Sequence, residues 1–70
     1  MRPGAHRGVA HGVEVEELAT GMAVVEAIYV GERLRKETHS VLGREFATVE
    51  AAFDAGIEAA RALVDSRYES

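Results

Sequence analysis

The chain has no cysteine and no tryptophan, one proline, and only two tyrosines and two phenylalanines among its 70 residues. Without cysteine there is no disulfide staple, no thiol nucleophile and no thiolate metal site. Long hydrophobic runs are missing too. The longest, Met22–Val25 and Ala27–Val30, hold four residues each, against the roughly 18 a membrane helix needs. The opening residues Met-Arg-Pro-Gly-Ala-His-Arg-Gly lack the apolar core of a secretion signal. A cytoplasmic protein with no membrane partner is therefore expected. There is no basic excess: the net charge is −4. That balance argues against nucleic acid or an anionic membrane as the general partner. The one basic cluster is Arg33, Arg35 and Lys36, with Arg44 nearby.

What is present suits a folded chain. Apolar residues make up 47% and charged residues 29%, which is outside the composition of disordered segments. The length allows one domain. Such a domain buries only about 60% of the surface its unfolded chain exposes. Its own core leaves it marginal, so a partner surface is expected to help.

Residues 1–10 carry Pro3, Gly4 and Gly8 without apolar periodicity and are read as a flexible N-terminal tail. Residues 11–67 are read as one domain. Over 11–18, Val13 and Val15 alternate with Glu14 and Glu16, the period of a half-buried strand. Ala19-Thr20-Gly21 reads as a turn. Residues 22–30 are β-branched and aromatic and favour a second strand. Gly31-Glu32 has the form of a two-residue hairpin turn, with 33–41 as the returning strand. A single helix over 14–39 is the competing reading, against which Gly21 and Gly31 each count about 1 kcal/mol.

The helical signal is strongest at the end. Thr48 is placed to cap a helix over about residues 49 to 66. Val49, Ala52, Phe53, Gly56, Ile57, Ala60, Leu63 and Val64 form one apolar stripe at helical spacing. Gly56 on that stripe would let the helix backbone approach a sheet closely. The expected fold is α+β: a three-stranded antiparallel sheet packed against one C-terminal helix, in the order β-β-β-α. The expected core is Val13, Val15, Phe46, Phe53, Ile57, Ala60, Leu63 and Val64, joined by one alternating set from 22–30. Both alternating sets of 22–30 are apolar, whereas a sheet covered on one face shows a polar set on the other. A second copy of the chain is the candidate cover, which would make a homodimer.

Residues 46–56, Phe-Ala-Thr-Val-Glu-Ala-Ala-Phe-Asp-Ala-Gly, resemble the F-A-T-x-E-E-A-x-x-A-G strand-to-helix junction of small uncharacterised proteobacterial domains of β-β-β-α type. Position 51 is Ala where that pattern has a second acidic residue. The resemblance implies a fold and no established activity. The junction is also similar to the AP2-like N-terminal DNA-binding domain of phage-type integrases. That likeness implies DNA contact through the sheet, with Arg33, Arg35, Lys36 and Arg44 as candidate nucleic-acid or partner contacts.

Catalytic constellations are poor. His39 lies between Thr38 and Ser40, but neighbours on a strand point to opposite faces, so no nucleophile–base pair forms there. His6, His11 and His39 lack the spacing of a zinc site. Glu14 and Glu16 share a strand face, where solvated carboxylates are the ordinary state. No phosphate-binding loop or dinucleotide fingerprint is present. The expectation is a non-enzymatic protein–protein interaction module without cofactor or metal; nucleic-acid binding is the alternative.

Overall fold

The computed structural model describes residues 1–68. Five strands and one helix follow in order: β1 (Arg2–His6), β2 (Val9–Glu17), β3 (Ala23–Val30), β4 (Arg35–Glu37), β5 (Glu45–Phe46) and α1 (Val49–Tyr68). The strands form one antiparallel sheet in the order β1-β2-β3-β4. β5 pairs with β3 as well, on the same edge as β4. β3 is thus the central strand, with β2 along one side. The fold is α+β, with the single C-terminal helix laid on one face of the sheet.

The N-terminal segment expected to be a tail is instead β1, paired over its whole length with β2 from Arg2↔Val13 to His6↔Val9. The turn that joins them is Arg7-Gly8, with φ of 55° and 75°. Two successive positive φ values match the right-handed twist of a tight hairpin, and Gly8 takes its share without steric cost. Pro3 is tolerated because β1 is an edge strand. The residues that looked like a loop are those a short edge hairpin uses.

The third expected strand is shorter than 33–41. It shrinks to β4, and the two-residue turn becomes the four residues Gly31–Leu34 between Val30 and Arg35. The Leu34 N–H donates to the Gly31 carbonyl at 2.9 Å. Leu34 itself has φ of 47°. Beyond β4 the chain leaves the sheet and returns as β5, after Leu42 bridges to Val25.

The apolar excess of β3 has a local cause. Val15 pairs with Val25 and Glu14 with Ala27, so Glu26 is an extra residue without a partner, a β-bulge. One inserted residue reverses the side on which alternate side chains fall. Ala23 and Val25 face the helix before the bulge; Ile28 and Val30 face it after. Each alternating set is inward over part of the strand, which accounts for its apolar residues there and leaves Val24, Ala27 and Tyr29 on the other face.

α1 starts as expected: the Ala51 N–H donates to Thr48 Oγ1 at 3.0 Å. It seats small residues on the sheet. Ala52, Gly56, Ala59, Ala60 and Val64 are buried. A Cβ on Gly56 would stand 2.5 Å from Val13 Cγ1, a distance no packed pair tolerates, so this glycine sets the depth of helix docking. Val13, Ala60 and Val64 of the expected core are fully enclosed. Val15, Phe46, Phe53, Ile57 and Leu63 flank it half-buried. The close helix leaves no room for large rings at the centre, so Phe53 lies at the flank under the Arg2 guanidinium, 4.0 Å from its ring centre.

Candidate functional site

The sheet has a covered face and an open one. On the open face, register sets Gly12 beside Tyr29, Glu14 beside Ala27 and Glu16 beside Val24. Lys36 lies on the other side of Tyr29, Glu45 beside Val24, and Pro3 beyond Gly12. Among the described residues no element lies over this face; the helix packs on the other. Val24 and Tyr29 are half-buried, while the small Ala27 sinks between its neighbours. The Met1 side chain lies over Gly12.

The strip is apolar in the middle and acidic around it. Glu14 and Glu16 come from β2 and Glu45 from β5, and the bulge turns Glu26 of β3 out to solvent. Hydrogen bonding to the Glu14 carboxylate, then partial burial and the charges of Glu14 and Glu26, hold the Tyr29 phenol above its ordinary range. A phenol in that setting stays protonated and serves as a donor. Lys36 is the one basic residue that the register places among them.

The basic candidates do not converge. Arg33 is in the Gly31–Leu34 turn rather than on a strand, so it cannot share a strand face with Arg35. Arg35 and Lys36 are adjacent in β4 and point to opposite faces. Arg44 lies before β5, its guanidinium 5.6 Å from the centre of the Phe46 ring. These four residues occupy a turn, two faces and a loop, and no common groove.

A cleft of about 280 Å³ opens beside the helix, lined by His39, Val41, Arg44, Ala55, Glu58 and two further alanines. His39 is half-buried, and the Val41 N–H donates to its Nδ1 at 3.0 Å. That bond fixes its ring as a brace for the loop. On the opposite flank, polar ties run from the β1 edge to the helix. Arg2 grips Glu50 with two hydrogen bonds of 2.8 and 3.1 Å. His6 and Arg7 both reach Asp65, at 2.8 and 3.1 Å. Arg67 pairs with Glu37 of β4. The Arg2 bond holds the Glu50 carboxyl below its ordinary range.

His6 and Asp65 form an acid–base pair, but no nucleophile meets them: the neighbouring Ser66 hydroxyl donates to the Leu63 carbonyl. Among the described residues no three His, Asp or Glu side chains are arranged to hold a metal ion. None of the described helices is long and apolar enough to cross a membrane. Compared with protein-family models, curated proteins and solved structures, the chain matches none of them.

Sequence reasoning missed the open face as it is built, because it took β3 to alternate regularly. It also missed the burial of His11. The glycines at 4 and 12 were the available signal, since each makes room for a neighbouring side chain.

Proposed function

We propose that the chain is a non-catalytic protein–protein interaction module that docks a cationic partner surface on the open face of its sheet. One observation carries the reading. The bulge at Glu26 leaves Val24, Ala27 and Tyr29 on the face the helix does not cover, with Glu14, Glu16, Glu26 and Glu45 around them. An apolar centre with a charged rim is the ordinary anatomy of a docking surface, and the sign of the rim selects the partner by charge complementarity. A second copy of the chain meets that rim with the same carboxylates, so a face-to-face homodimer suffers like-charge repulsion that a basic partner does not.

The test is an amide NMR titration at low salt with a short peptide of alternating arginine and leucine. Shifts centred on Glu14, Ala27 and Tyr29, absent in Tyr29→Arg, are the expected result. Shifts confined to the helix, or no shift, would overturn the reading. A DNA duplex titrated in parallel separates the alternative: movement of Arg33, Arg35, Lys36 and Arg44 with DNA alone would favour nucleic acid. Peaks at Ala27 and Tyr29 that broaden with protein concentration alone would make a second copy the occupant.

A further inference from the structure

His11 is the one polar side chain buried among the described residues, at 4% exposure. It lies on β2, facing the helix side of the sheet, with β1 on one side and Val30 of β3 on the other. Its ring lies against Gly4 of β1: a Cβ there would stand 2.6 Å from the ring's Cε1 and within 3.3 Å of both nitrogens. Neither ring nitrogen has a hydrogen-bond partner among the described residues, although both are buried. A neutral imidazole leaves one donor and one acceptor unmet in such a place. An imidazolium would leave two donors and a charge.

The charged groups around it give no relief. Arg61 of the helix and His6 of β1 both act against a positive charge on His11. Asp65 on the helix is held by His6 and Arg7. Arg35, in the same register row across β3, is exposed and of the wrong sign. The element most easily moved is β1. It is an edge strand of five residues paired only with β2, and edges open before cores.

We propose that His11 is an acid-operated latch for the N-terminal strand: with the ring neutral, β1 stays closed over it, and when the ring takes a proton β1 leaves the sheet. Opening gives both ring nitrogens to water and makes the longer β2 the new sheet edge. The direction follows from linkage. Burial, then Arg61 and His6, push the His11 imidazole below its ordinary range. The open form therefore binds a proton more readily than the closed one. Closure is strongest above the ordinary value of 6.5 and weakens as pH falls through it toward the lower value of the buried ring. The His6–Asp65 hydrogen bond ties β1 to the helix and opposes release.

The test is hydrogen exchange by NMR on the full chain, read as protection factors at two pH values. Between about pH 7.5 and about pH 5.5, protection of the β1 amides should fall by as much as about tenfold, while the paired amides of the β2–β3 hairpin hold. His11→Phe, which keeps the bulk and cannot titrate, should abolish the fall. Unchanged β1 protection in the wild type would overturn the latch. So would a loss spread evenly over the sheet, or a fall that persists in His11→Phe. If that variant does not fold, the wild-type His11 ring resonance decides. A ring midpoint that tracks the loss of β1 protection supports the latch, and a midpoint unrelated to it overturns it.

Discussion

The two faces of the central strand β3 are made of similar residues and do different work. The covered face presents Ala23, Val25, Ile28 and Val30 to the helix, all buried. The open face carries Val24 and Tyr29 half-buried with Ala27 sunk between its neighbours, and no described element of the fold packs over them. Hydrophobicity alone does not separate them. Glu26 does: one unpaired residue changes which side each neighbour falls on. An apolar residue on such a strand reports stability or docking according to the face on which the bulge leaves it.

That contrast breaks first on the covered side. Ile28→Ala removes a fully buried side chain and should cost about 2–5 kcal/mol, read by urea unfolding. So small a domain has little more than that to lose, and loss of cooperative folding is the expected outcome. Gly56→Ala is the sharper test of close docking. The new methyl gains about 1 kcal/mol of helix propensity but collides with Val13, an overpacking cost of about 1–3 kcal/mol. Net destabilisation is expected, and a more stable variant would mean the helix can ride higher. Thr48→Ala removes the helix cap and should cost about 1 kcal/mol in the same measurement. On the open side, Tyr29→Ser should change stability by less than about 1 kcal/mol while abolishing the peptide-induced shifts. The smallest effect is outside both faces. Arg2→Ala should lower stability only slightly, because its pair with Glu50 is exposed and its contact with the half-buried Phe53 ring lies at the flank. It should also return the Glu50 carboxyl, now held below its ordinary range, to that range in an NMR titration.

Much of this was legible in the sequence, unevenly. The helix was readable because its apolar stripe, its Thr48 cap and its close-approach Gly56 all pointed one way. β2 and β3 were readable from composition. β1 was not, because Pro3, Gly4 and Gly8 are loop residues by propensity and edge-hairpin residues only once β2 is there to pair with. β4 lost most of its expected length because the positive φ of Leu34 and the turn it closes are not encoded by residue type. The basic candidates are close along the chain but not in space, because Arg33 falls in a turn and Arg35 and Lys36 point to opposite faces of β4. Both alternating sets of β3 are apolar, the pattern of a strand covered on two faces. The bulge explains half of that excess, and the open strip is what remains.

The division of β3 is open to direct measurement with a soluble paramagnetic probe and the methyl resonances of Val24, Val25, Ile28 and Val30. Strong broadening is expected at Val24 and little at Val25, Ile28 and Val30, because the bulge puts those three on the helix side. Regular alternation groups Val24 with Ile28 and Val30 and sets Val25 apart. Shielding of Val24 together with Ile28 and Val30, and broadening of Val25 alone, would contradict the account and with it the surface on which the proposed docking rests.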